Sequence, residues 1–171
     1  MRSAQLLAVL LLALVASAAT QEQRRPAGGL DLTVSALWSW QSYDGSSDGA
    51  PGAGVGLGYR FPIGFALELR GSYRSWDSES YVPLHLGLRY DLRLHPLVTV
   101  APFAGAGPSA VWGNDWGSIF ASFDLGTRLY LSMGQDARVR VSLEAAYGRG
   151  MAFHPSAFDV VNVALGLSIG L

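Results

Sequence analysis

The sequence predicts an all-β protein that closes as an eight-stranded antiparallel up-and-down barrel. Three observations carry the prediction: an apolar/polar alternation that recurs eight times between Leu30 and Leu171, turn signals that separate the repeats, and a polar face on which glycine interleaves with arginine and carboxylates. Successive residues of a strand fall on opposite sides of a sheet. A period of two therefore argues for strands with two different environments and against helices. Eight two-faced strands suffice to close a small barrel.

Residues 1–19 differ from the rest. Arg2 forms a short basic region, Leu6 to Val15 an apolar run, and Ala16-Ser17-Ala18 a stretch of small residues. This pattern is expected of a signal peptide cleaved after Ala18 or Ala19, its apolar run being too short to span a bilayer as a helix. A short N-terminal segment, 20–29, leads into the barrel domain, 30–171.

The first strand is expected near 30–42, where Leu30, Leu32, Val34, Ala36, Trp38 and Trp40 alternate with Asp31, Thr33, Ser35, Ser39 and Gln41. Only Leu37 breaks the polar row. The second, near 52–61, sets Ala53, Val55, Leu57, Tyr59 and Phe61 against Gly52, Gly54, Gly56, Gly58 and Arg60. Strands near 64–75 and 81–94 continue with Phe65, Leu67, Leu69 and Tyr73, and with Val82, Leu84, Leu86, Leu88, Tyr90 and Leu92. The fifth, near 97–111, has no polar face: Val98, Val100, Pro102, Ala104 and Ala106 compete with Leu97, Thr99, Ala101 and Phe103. Strands near 117–132, 137–148 and 158–171 complete the set. The links Tyr43 to Pro51, Trp76 to Ser80, Trp112 to Trp116 and Arg149 to Ala157 read as longer loops. Pro62-Ile63, His95-Pro96 and Met133 to Asp136 read as tight turns. Tight turns at the periplasmic end and longer loops outside are the outer-membrane pattern.

The polar face collects Arg60, Glu68, Arg70, Arg74, His85, Arg89, Asp91, Arg93, Asp124, Arg128, Arg138, Arg140 and Glu144. A hairpin centred on Ile63 would set Glu68 opposite Gly58 and Arg70 opposite Gly56. Matching a large side chain with none suits a narrow barrel interior; on a solvated face, glycine would only weaken the strand.

Alternation alone admits two barrels, one with its apolar face in lipid and one, soluble and secreted, with that face enclosing a core or an apolar ligand. Three features favour lipid. Glycine is interleaved with the interior charges, all twelve basic residues are arginine, and aromatic residues gather near strand ends, among them Trp38, Trp40, Tyr59, Phe61, Tyr73, Tyr81, Tyr90, Trp112, Tyr130 and Phe158. Arginine offers a fork of donors for carboxylates in confined space, and aromatic rings with a polar edge settle at the membrane interface. The chain has no cysteine, so stability rests on the sheet. A formal net charge of -1 argues against a nucleic-acid or other polyanion partner.

The signal peptide, eight amphipathic strands, short turns and terminal strand together make the chain similar to the small outer-membrane β-barrel superfamily typified by OmpA and OmpX. The resemblance implies an integral outer-membrane protein of a Gram-negative cell, monomeric, with N- and C-termini periplasmic and a filled polar interior. It implies outer-membrane lipid and lipopolysaccharide as neighbours, insertion by the outer-membrane assembly machinery, and a structural or surface-interaction role without catalysis, cofactor or metal. Members usually finish on an aromatic residue, whereas this chain finishes on Leu171.

Two motifs suggest chemistry. His154-Pro155-Ser156 resembles the His and Ser pair of barrel enzymes that deacylate lipid A; a serine nucleophile also needs an orienting acid, with Asp159 or Glu144 as candidates. Asp44-Gly45-Ser46-Ser47-Asp48-Gly49 imitates the start of a calcium loop, but its twelfth position is Val55, where a bidentate carboxylate belongs. Together with Asp77, Glu79 and Asp115 it would make an acidic rim able to share divalent cations with lipopolysaccharide phosphates. The charged interior could also line a narrow solute pore, but a barrel of eight strands leaves little bore.

Overall fold

The computed structural model describes residues 28–43, 46–76, 79–114, 117–133, 138–151 and 158–171. The segment expected to be a signal peptide, 1–19, lies outside them. Nine strands form one antiparallel sheet: β1 (Gly29–Tyr43), β2 (Ser46–Arg60), β3 (Phe65–Trp76), β4 (Glu79–Tyr90), β5 (Leu92–His95), β6 (Val98–Trp112), β7 (Gly117–Met133), β8 (Val139–Met151) and β9 (Phe158–Gly170). β4 and β5 are one spanning strand interrupted at Asp91, so the wall has eight staves. Pairing of β1 with β9 and of β4 with β6 closes the sheet, leaving no open edge. Closure satisfies every strand's neighbour, which the hydrocarbon layer demands.

The side chains sort as the alternation predicts. Leu88 and Leu165 are 58% and 61% exposed, whereas Glu68 and Arg89 are each 1% exposed. The apolar face is therefore outside and the charged face inside, which removes the soluble barrel with an apolar core. Rings outside the wall form two groups. Tyr59 with Phe61 and Phe65 with Tyr90 stand near the chain termini, with centroids 5.0 and 4.7 Å apart. Trp38 with Trp40 and Tyr73 with Trp112 stand at the opposite end. Two aromatic belts are the interface anchors of a membrane barrel.

The expected register holds across the first tight turn: Gly58 faces Glu68 and Gly56 faces Arg70. Phe61 donates its N–H to Phe65 O at 2.7 Å, and Gly64 takes φ +91°, the left-handed conformation that ends a three-residue hairpin loop.

Three expectations need correction. First, the strands run further than expected at the end away from the termini. β2 starts at Ser46, paired with Tyr43, and β8 continues to Met151, so 46–51 and 149–151, expected as loop, are strand. Extending the ladder satisfies backbone groups that a loop would leave to water. Second, Tyr81, Tyr130 and Phe158 are buried inside the barrel and belong to neither aromatic belt. Third, Arg138 is exposed and Arg93 binds Pro96 O at 2.9 Å at the rim, so neither joins the interior charges.

Candidate functional site in the barrel lumen

Glycine on β2 makes the space that the interior charges occupy. A Cβ on Gly58 would lie 2.6 Å from Asp31 Oδ1, and one on Gly56 3.0 Å from Glu68 Oε1. The freed volume lets carboxylates from β1 and β3 meet arginines from across the barrel.

Asp31 Oδ2 accepts from Arg89 at 2.8 Å and from Arg60 and Arg140 at 3.1 Å each. Glu68 accepts from Arg128 at 2.8 Å and lies 3.5 Å from Arg89. Arg128 also binds Glu144, and Arg89 and Arg60 both reach Asp91. Tyr130 sits at the centre, its hydroxyl accepting from Arg89 at 3.0 Å and Arg128 at 2.7 Å while Arg140 stacks on its ring at 4.2 Å. This lattice ties β1, β2, β3, β4, β7 and β8 together. Buried ion pairs add little net stability, but removing one partner strands a charge.

A second polar group lies further along the barrel. Arg70 donates to Asp124 Oδ1 at 2.8 Å, His85 Nδ1 stands 3.2 Å from Asp124 Oδ2, and His85 Nε2 bonds Ser122 Oγ at 2.6 Å. Ser122 bonds Ser109, and Ser109 bonds the Tyr81 hydroxyl. Phe103 is the stacking platform for Arg70, at 4.1 Å, and for Arg128, at 5.4 Å. Its inward orientation also resolves the fifth sequence strand: Thr99, Ala101, Phe103 and Ser109 face in, and Ala104, Ala106 and Pro108 face out.

Tyr81 then begins an apolar cluster with Phe120, Phe158 and Val160, flanked by Trp76 and Val111. Phe158 meets Tyr81 and Phe120 edge-on, with centroids 5.5 and 5.3 Å apart. Between cluster and ion lattice lies a chamber of about 70 Å³ walled by Thr33, Ser35, Gly54, Ser72, Arg74 and Asn162 among others. That volume is room for about five water molecules.

The sequence analysis assigned Glu68, Asp91, Asp124 and Glu144 to neutralise interior arginines, and all four do so. It missed Asp31 as the anion that accepts most arginine hydrogen bonds among the described residues, and Tyr130, Phe103 and Phe120 as interior residues. Parity could have found them: Tyr130 and Phe120 share the even numbering of Arg128 and Asp124 on β7.

His154 and Ser156 lie outside the described residues, as do Asp44, Asp77 and Asp115. The acids offered to His154 are engaged elsewhere. Glu144 is held inside by Arg128, and Asp159 accepts from the Tyr147 hydroxyl at 2.6 Å on the outer wall. The calcium-loop reading fails for the described part, because Ser46 to Val55 is strand paired with β1.

The Asp124, His85 and Ser122 chain has the order of a catalytic triad, which nothing in the sequence spacing announced. Its surroundings do not suit hydrolysis. Ser122 is 2% exposed, is bonded to Ser109 as well, and does not reach the chamber wall. Strand amides on either side are committed to the ladder, so no pair of N–H groups is free to stabilise an oxyanion.

Comparison with known proteins agrees with this architecture. Residues 6–169 match the family model described as an outer membrane protein beta-barrel domain. Neisserial surface protein A is similar in structure with a TM-score of 0.74 at 11% identity, over 85% of this chain and 100% of that one. Ail, the attachment invasion locus protein of Yersinia pestis, gives 0.56 at 13% identity, over 84% and 100%. The outer membrane enzyme PagL gives 0.52 at 15% identity, over 81% and 99%. Comparison with curated protein sequences gives no match. A closed eight-stave wall with its apolar face outward, together with a family match spanning nearly the whole sequence, leads to one conclusion: the chain belongs to the outer membrane protein beta-barrel domain family.

Proposed function

We propose that this chain serves as an occluded outer-membrane barrel with a structural or surface-interaction role, its termini periplasmic and its opposite rim among lipopolysaccharide. The observation that carries the reading is closure of the lumen by two different fillings, the ion lattice around Asp31 and Glu68 and the aromatic cluster around Phe120 and Phe158. A solute would have to displace both. The tight turns at 61–64 and 96–97, on the end that bears the termini, support the periplasmic assignment. Insertion by the outer-membrane assembly machinery and a monomeric state follow from the same reading, since a closed wall presents no free strand edge for another copy.

Planar-bilayer recording of the purified barrel tests it. The expected result is no stepwise conductance; a reproducible unit conductance would replace this reading with that of a narrow pore. Protease accessibility of epitope tags at the mature N-terminus and after Leu171 in intact cells reads the orientation, with protection expected for both.

The His154-Pro155-Ser156 resemblance makes lipid A hydrolysis the second reading, and the likeness in fold to PagL, a protein named as an outer membrane enzyme, is compatible with it. Labelling with a fluorophosphonate and measurement of lipid A acylation in wild type, His154→Ala and Ser156→Ala separate the two. No labelling and no change in acylation are expected. Labelling lost with Ser156→Ala would make the barrel a hydrolase.

A further inference from the structure

Six arginines point into the described lumen, and five have a carboxylate within 4 Å: Arg60, Arg70, Arg89, Arg128 and Arg140. Arg74 is the exception. It is 6% exposed, forms no ion pair with any described residue, and its Nε has no hydrogen-bond partner. Its guanidinium stands 5.1 Å from the centre of the Tyr81 ring, and the residue forms part of the chamber wall. Five interior carboxylates, Asp31, Glu68, Asp91, Asp124 and Glu144, face those six arginines, so the described interior carries one excess positive charge when His85 is neutral. The excess resides at Arg74.

An arginine stays protonated in a protein, so this charge cannot be lost by titration. Leaving it unpaired at low dielectric is costly. The chamber wall supplies what would offset that cost. Ser35 and Ser72 have hydroxyls free of side-chain partners, and the Asn162 amide oxygen already accepts from Ser39 at 2.7 Å, leaving its NH2 group to donate. The carboxylates that also border the chamber, Glu68, Asp124 and Glu144, are held by Arg128, Arg70 and His85.

We propose that the chamber is a binding site for one small monovalent anion of the halide class, held by the Arg74 guanidinium and the donors of Ser35, Ser72 and Asn162. A single charge balances the single excess, and a chamber with room for about five water molecules admits a small ion in place of about one of them. The inference goes beyond the occluded-barrel reading and does not depend on it.

The test is crystallography of the full-length mature barrel refolded and crystallised in sodium bromide, with data collected at the bromine edge. An anomalous peak within hydrogen-bond reach of Arg74 is expected, and its loss in Arg74→Met. Bromide confined to the outer surface, or a chamber holding only water, overturns the proposal. Should Arg74→Met fail to fold, chloride-35 line broadening of the wild-type barrel in detergent provides the second measurement. Broadening that is competed by bromide and weakened in the Ser35→Ala, Ser72→Ala double variant supports the site; broadening indifferent to both overturns it.

Discussion

At the end of the lumen nearest the termini, Asp31, Glu68 and Arg89 are almost wholly buried and every contact is directional. At the other end, Phe120, Phe158 and Val160 are nearly as buried and touch through apolar surface alone. Both fillings use residues of the same inward parity on overlapping strands. What differs is tolerance. A charge removed from the lattice strands its partners, whereas an aromatic cluster loses contact area in proportion to the atoms removed. The lattice therefore fixes register and the cluster mainly fills volume, a division that two conservative replacements can break.

The largest effect is expected of Asp31→Asn, which keeps shape but leaves Arg60, Arg89 and Arg140 facing a neutral amide. Urea unfolding in lipid vesicles, followed by the gel mobility of unboiled samples, should show a loss of about 3–5 kcal/mol. Next comes Gly58→Ala. Its Cβ would stand 2.6 Å from Asp31 Oδ1, and the carboxylate is held by three arginines through its other oxygen, so about 1–3 kcal/mol is the expected cost by the same assay. Phe120→Leu should cost about 1 kcal/mol, since the cluster can repack around a slightly smaller group. If it equals Asp31→Asn, the two halves do not differ as argued. Gly71→Ala sharpens the comparison from outside the wall, where the new Cβ meets Leu84 at an ordinary 3.6 Å. A change within about 0.5 kcal/mol is expected there.

The chamber at the junction explains why the two halves stay separate. Thr33 bonds Ser168 and Ser39 bonds Asn162 across the β1–β9 seam, so hydroxyls line the boundary between ions and rings. Tyr81 is the meeting point of the two halves, its hydroxyl bonded to Ser109 and its ring faced by Arg74 from the polar side.

Much of this was legible in the residues. The alternation marked which face each strand presents, because side-chain direction along a strand is purely local. The Pro62-Ile63-Gly64 turn set the β2–β3 register, and with it the pairing of Glu68 and Arg70 with glycines, because a short hairpin leaves no freedom in which residues face each other. The partners of those charges were not legible. Asp31 and Arg140 are 109 positions apart and meet only because β1 and β8 both flank β9 and the barrel closes there. The fifth sequence strand was equally opaque, since both its faces are apolar or small and only Arg70 and Arg128 converging on Phe103 decide which points inward.

The sequence by itself determined an all-β chain with two unlike faces and enough strands to close, since alternation and turn chemistry act between near neighbours. Interleaved glycines, arginines and end aromatics already favoured an outward apolar face; the tertiary structure alone decided which arginine meets which carboxylate, and that one arginine is left over beside a chamber. Those outcomes depend on barrel curvature and closure, which bring together side chains from strands that share no local signal.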